Sequence, residues 1–132
     1  MGVGSGALAL ALLYEAPQLR AAGADISAGA VRQAQKNAEA AGVAARFTAL
    51  KSDWFGAVRG KFDFIISNPP YIPRAEIEKL AAEVRLYDPK RALDGGLDGL
   101  DFYRAMVLGA PAHLKRGGKV AVEIGYNQKA DV

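Results

Sequence analysis

The sequence predicts an α/β fold in which a parallel, doubly wound sheet carries helices on both faces. Two observations carry that expectation. Segments suited to helix alternate along the chain with short apolar segments suited to strand. Polar clusters also follow the ends of those strands, the edge at which open parallel sheets bind their ligands. At 132 residues, 51% hydrophobic and 23% charged, the chain is about one domain's worth and has enough apolar side chains to bury a core.

The elements follow in order. "GALALALLYEA" is an alanine and leucine run suited to a helix, which Pro17 ends. "LRAAGAD" reads as a short strand finishing at Asp25. Ser27 is placed to cap the next helix, "SAGAVRQAQKNAEAAG", which Gly42 stops. Its Ala30, Ala34, Ala38 and Ala41 make a small-residue face that can lie close to a sheet. "ARFTAL" is a second strand, "KSDWFGAVRG" a loop or single turn, and "FDFIISN" a third strand. "AEIEKLAAEV" is helical, whereas "YDPKRALDGGLDG" is irregular, and its glycines and proline mark a mobile or ligand-covering loop. From Asp98 onward, Leu100, Tyr103, Val107, Ala110 and Leu114 recur at helical spacing, with Pro111 expected to bend the helix. "GGKVAVEIG" is the last strand.

Composition excludes several classes. No apolar run approaches the roughly 20 residues of a membrane span, and the N-terminus lacks the pattern of a signal peptide. With no cysteine, disulfides and thiolate metal sites are ruled out, which fits a reducing, cytoplasmic setting. His113 is the only histidine, so no metal site is expected. The net charge of +3 comes from dispersed basic residues in short pairs, which suits a solvated surface better than a nucleic-acid face.

Four polar clusters fall at the strand ends: Asp25, Asp53 with Trp54, Asn68 to Tyr71, and Glu123. A fifth piece, "GVGSGA" at residues 2 to 7, stands directly before a helix. Its Gly2, Gly4 and Gly6 permit a sharp turn and close approach of a ligand, and the free amides of the helix start favour an anion. Asp25, about 20 positions on, is placed to accept both hydroxyls of a ribose; its other reading is a carboxylate at the entry to the helix capped by Ser27. These features serve a nicotinamide dinucleotide and S-adenosylmethionine equally well, and Gly2, Gly4 and Ala7 even match a dinucleotide fingerprint.

"NPPY", residues 68 to 71, separates the two. An amide or exocyclic amino nitrogen is a poor nucleophile because its lone pair is delocalised. An enzyme that methylates one must hold it with that lone pair aimed at the methyl donor. The Asn68 side-chain oxygen and the Pro69 carbonyl can accept its two N–H bonds together. Pro69 and Pro70 stiffen the backbone, and Tyr71 offers a flat wall for a planar amide or base.

Over nearly its whole length the sequence resembles the release-factor glutamine methyltransferases, Rossmann-like class I enzymes that use S-adenosylmethionine to methylate a glutamine side-chain nitrogen. The resemblance rests on "GVGSGALALAL", "GADIS", "SDWF", "FDFIISNPPYIP", "RALDGGLDGLDFYR" and "VEIGYNQ". Asn-Pro-Pro-Tyr also occurs in adenine-N6 DNA methyltransferases and ribosomal-protein glutamine methyltransferases; the "SDWF" and "ALDGGLDGLDFYR" pieces favour the release-factor enzymes. The resemblance implies that Gly2, Val3, Gly4, Ser5 and Gly6 contact the methionine part of the cofactor and that Asp25 holds its ribose. Trp54 would lie beside the adenine, Asp53 near its amino group, and Asn68 against both cofactor and substrate. Pro69, Pro70 and Tyr71 would complete the glutamine pocket, with a peptide-chain release factor as partner and neither nucleic acid nor membrane. Trp54 also has an ordinary reading as a core aromatic, and Glu123 receives no role.

Against the family pattern, residues 1–132 are expected to be part of a catalytic domain, with the first strand and its Asp-x-Gly lead, an N-terminal helical domain and the C-terminal strands missing. That first strand would be the centre of the sheet, between the strands ending at Asp25 and Asn68. A nicotinamide oxidoreductase would leave Asn-Pro-Pro-Tyr and "SDWF" unexplained, and an inactive interaction module is the remaining alternative.

Overall fold

The computed structural model describes residues 1–80 and 90–132. The chain divides into two compact units, Met1–Gly60 and Lys61–Val132, and each contains one parallel pair of strands.

In the first unit, helix α1 (Ala7–Glu15) is followed by strand β1 (Ala21–Asp25), helix α2 (Ala28–Ala40), a short 3-10 turn (Ala44–Arg46) and strand β2 (Phe47–Lys51). β1 and β2 run parallel with Ala21 opposite Phe47 and Asp25 opposite Lys51. Their carboxyl ends therefore meet at one edge. Ser27 caps α2 as expected, its hydroxyl accepting from the Ala30 amide at 3.3 Å. Ala34 and Ala38 are fully buried and bring α2 close to the strands, where Leu13, Val43 and Phe47 complete the core. Ala41, expected on the same face, is exposed, because α2 ends at Ala40.

β2 starts later than "ARFTAL" suggests, and Arg46 is the reason. Its guanidinium donates to the carbonyl oxygens of Leu13 at 2.7 Å, Leu19 at 3.1 Å and Ala16 at 3.4 Å. These are carbonyls at and just beyond the C-terminal end of α1, which the helix itself cannot satisfy. Residues 44–46 form a tight turn in front of the strand.

The second unit contains strand β3 (Phe62–Ser67), helices α3 (Arg74–Ile77), α4 (Lys90–Leu93) and α5 (Asp101–His113), and strand β4 (Leu114–Val122). β3 and β4 are parallel, Phe64 opposite Lys119 and Ser67 opposite Val122, with a register shift between Phe62 and Phe64. β4 begins straight after α5, ahead of the expected Gly117, and Gly117 takes a φ of 79° within it. The helix expected over "AEIEKLAAEV" is described as far as Leu80, where α3 has already ended; residues 81–84 of it, and 87–89 of the next stretch, lie outside the described residues. Part of the stretch expected to be irregular forms α4.

The buried face of α5 agrees with the expected one at Tyr103 and Ala110 and departs from it at Val107. Phe102, Tyr103, Met106 and Ala110 are buried, whereas Val107 is 73% exposed. Phe102 to Met106 to Ala110 is an i, i+4 row as good as the one through Val107, so spacing alone does not choose between them. No helix of the described residues is long and apolar enough to cross a membrane.

Candidate functional site

The first cluster is built where the glycine loop meets the end of β1. Gly2, Gly4 and Gly6 take φ values of 62°, 53° and 87°, conformations that side chains with a Cβ rarely adopt. The loop is fastened to the strand: the Val3 amide donates to the Ala24 carbonyl at 3.0 Å, and the Gly4 amide to Asp25 Oδ2 at 2.9 Å. Asp25 Oδ1 accepts the Ser27 amide at 2.9 Å. One carboxylate thus holds both the loop and the entry to α2. Each oxygen has accepted one backbone donor and keeps a second acceptor direction. Gly23 makes the approach possible, since a Cβ there would overlap the Val3 side chain and lie 3.1 Å from the Phe47 ring. Asn37 Nδ2 supports the loop from α2 by donating to the Ser5 carbonyl at 2.8 Å. Above Gly4 a Cβ would meet nothing within 4 Å.

The "SDWF" turn stands beside Asp25 at the end of β2. Ser52, which sequence reasoning overlooked, organises it. Its amide donates to the Asp25 carbonyl at 2.8 Å, while its hydroxyl donates to the Trp54 carbonyl at 2.8 Å and accepts the Ala57 amide at 2.9 Å. Ser52 is buried, and its hydroxyl is used inside the turn. Trp54 has a φ of 47°, a left-handed conformation that costs a residue with a Cβ roughly 1 to 2 kcal/mol. Its side chain is 39% exposed, unlike an ordinary core aromatic. Asp53 next to it is exposed.

The second cluster lies at the carboxyl edge of β3 and β4. The Glu123 amide donates to the Ser67 carbonyl at 3.0 Å, which fixes the two strand ends together. Asn68 follows immediately and is exposed, while Pro69 is buried and Pro70 and Tyr71 are half-buried. The stiff proline is therefore anchored, and the amide it carries forward is left accessible. The Tyr71 hydroxyl donates to Glu123 Oε1 at 3.0 Å, and this bond holds the phenol above its ordinary pKa. Glu123, given no role from sequence, orients the Tyr71 ring.

The glycines after α4 serve close packing on the same turn. A Cβ on Gly95 would sit 2.9 Å from the Tyr71 backbone, and one on Gly99, where φ is 80°, would overlap the Tyr71 carbonyl oxygen. The Ile72 amide donates to the Leu93 carbonyl at 3.1 Å, and the Arg74 side chain pairs with Asp94 at 2.9 Å. Arg74 holds the Asp94 carboxyl below its ordinary range. Over its described part, the stretch expected to be a mobile or ligand-covering loop packs against the Asn-Pro-Pro-Tyr turn.

The glycine loop, Asp25, Asp53 and Trp54 are all brought together in the first unit; Asn68, Pro69, Pro70, Tyr71 and Glu123 are brought together in the second. Parallel strands joined through helices, with a glycine loop and polar turns at the carboxyl ends of the strands, are the parts of a Rossmann-like α/β fold. A family model described as methyltransferase small domain matches residues 1–99. The chain belongs to that family. A Rhodospirillum rubrum protein named release factor glutamine methyltransferase is 51% identical over 132 residues, covering 100% of this chain and 41% of the relative. A Cereibacter sphaeroides protein of the same name is 49% identical over 128 residues, covering 97% of this chain and 46% of the relative. The chain thus spans less than half the length of these curated relatives. Among solved structures, the hMettl16 catalytic domain in complex with MAT2A 3'UTR hairpin 1 matches with a TM-score of 0.64 over 96% of this chain and 49% of that chain; at 15% identity this shows the shared fold alone.

Proposed function

We propose that residues 1–132 are part of the catalytic domain of a cytoplasmic enzyme that methylates the side-chain amide nitrogen of a glutamine in peptide-chain release factors. The observation that carries the reading is the Asn68 to Tyr71 turn, found in a chain about half identical to proteins named for that activity. Asn68 is exposed, while Pro69 behind it is buried. A planar carboxamide fits such a place. Its N–H groups can be accepted by the Asn68 oxygen and the Pro69 carbonyl, which turns the nitrogen lone pair in a fixed direction.

The cofactor of this reading is S-adenosylmethionine, which supplies an activated sulfonium methyl group. The first cluster fits it: the loop from Gly2 to Gly6 leaves open space over Gly4, Asp25 keeps acceptor capacity for ribose hydroxyls, and Trp54 offers a partly exposed aromatic face for a base. The chain's own work is to bind and to orient. Tyr71, held by Glu123, walls the carboxamide, and no side chain has to take a proton before transfer, because the nitrogen can release its proton afterwards.

The test is transfer of labelled methyl from S-adenosylmethionine to a purified release factor by the protein at its full encoded length. Label on a glutamine, abolished when that glutamine becomes alanine, is the expected result. Label on adenine of duplex DNA, with none on protein, would move the reading to the DNA methyltransferases and leave the fold unaffected.

A further inference from the structure

Gln128 lies beyond β4 in the last quoted stretch, "VEIGYNQ", and nothing in the reaction outlined above uses it. It is 5% exposed, and its carboxamide has four polar neighbours within hydrogen-bond distance. Nε2 donates to the Tyr71 carbonyl at 3.0 Å and to the Gly99 carbonyl at 3.2 Å. Oε1 accepts the Gly125 amide at 2.9 Å and lies 3.3 Å from the Tyr103 hydroxyl, which donates more closely to the Glu123 carbonyl at 2.9 Å. Two donors face two carbonyls, and the oxygen faces an N–H and an O–H. Only glutamine in this orientation satisfies all four, since rotating the amide would aim its oxygen at two carbonyls.

A buried amide is costly when its donors and acceptor go unpaired, whereas one that is paired fixes the geometry of the groups it joins. The groups it joins are telling. One is the backbone of Tyr71, the last residue of the Asn-Pro-Pro-Tyr turn; another is Gly99, packed against that turn; a third is Tyr103 on α5, which also holds the backbone of Glu123, the partner of the Tyr71 hydroxyl. Gln128 therefore meets the turn at its backbone while Glu123 meets it at the Tyr71 side chain. We propose that Gln128 is a positioning residue for methyl transfer: it clamps the Tyr71 carbonyl and so sets where the Asn68 and Pro69 acceptors stand. The clamp rests on the glutamine-methylation reading only for what the turn does, not for the turn being held.

The test uses Gln128→Met, which keeps the length and the apolar volume and removes all four bonds, in the protein at its full encoded length. Three quantities are read together: kcat with a release factor, affinity for S-adenosylhomocysteine by calorimetry, and amide hydrogen exchange. The expected result is a kcat loss on the order of 100-fold, as for a displacement of reacting groups by about 1 Å. S-adenosylhomocysteine affinity stays unchanged, and exchange quickens at Ile72, Gly95 and Gly125 but not at Ser52 or Ala57. Tyr103→Phe should reproduce part of the kcat loss, since Gln128 keeps its two donors. Unchanged kcat and unchanged exchange at Ile72 would overturn the proposal. So would a general loss of stability that lowers cofactor affinity and quickens exchange throughout, because the role would then be structural only. If the unmodified protein transfers no methyl to glutamine, the functional reading fails by itself, and exchange at Ile72 and Gly95 still decides whether Gln128 holds the turn.

Discussion

At the scale of single residues, the proposed substrate site joins an exposed amide to a buried proline. Asn68 is the exposed acceptor, and the buried Pro69 behind it removes backbone freedom. Asn68→Ala should therefore leave S-adenosylhomocysteine binding near its original strength, since the glycine loop, Asp25 and Trp54 are untouched. Turnover should fall on the order of 100-fold. Asn68→Asp keeps an acceptor oxygen of the same size but adds a charge and removes the N–H donor. Partial activity in that variant, measured as kcat with the fold checked by circular dichroism, would assign Asn68 chiefly to accepting the substrate's N–H groups; full activity in the alanine variant would reduce the turn to a structural one.

At the scale of elements, helix ends and loops are secured by charges that come from elsewhere in the chain. Arg46 closes the end of α1 from a turn 33 residues beyond Leu13. Arg46→Met would leave those carbonyls without their charged donor and should lower stability by about 2 kcal/mol, read from the shift of the urea midpoint. From the first turn of α5, Arg104 donates to both oxygens of Asp98 ahead of the helix, at 2.9 and 2.6 Å, and holds that carboxyl at about 2 against an ordinary 3.8. A depressed carboxylate pKa means that the folded state binds the proton less readily than the unfolded one. The contribution of this pair is therefore complete above the ordinary value of 3.8 and is lost as pH falls through about 2. Asp98→Asn should remove that pH dependence: stability at neutral pH falls, by little because the pair is exposed, and the two proteins become equally stable below about pH 2.

At the scale of the whole molecule, the residues proposed for the cofactor belong to Met1–Gly60 except Asn68, which lies with the residues proposed for the substrate amide in Lys61–Val132. The protein should bind S-adenosylhomocysteine in preference to a nicotinamide dinucleotide by calorimetry. Asp25→Ala should weaken that binding by roughly 1.5 to 3 kcal/mol, the worth of hydrogen bonds to a charged acceptor. It should also loosen the glycine loop, since the Gly4 amide loses its partner. Preference for the dinucleotide would assign the glycine loop to an oxidoreductase.

Much of this was legible along the chain because it depends on near neighbours. Ser27 caps α2 through a residue three positions on, the glycines of the loop declare their own conformations, and the alternation of helix and strand places Asp25, Asp53 and Asn68 at the carboxyl ends of strands. Asn-Pro-Pro-Tyr carries its rigidity in its composition. Other features belong to the folded chain alone. Whether α5 buries Met106 or Val107 is settled by what packs on it, since both fit a helical stripe. Arg46 became a helix cap, Ser52 the centre of a turn and Gln128 a clamp because the fold brought them to carbonyls, hydroxyls and amides that no local pattern announces; Gln128 and Tyr71 lie 57 residues apart in sequence. Sequence periodicity records which side of an element is apolar. It does not record which buried polar group will meet which partner, because that is decided by hydrogen bonds satisfied only after the elements have packed.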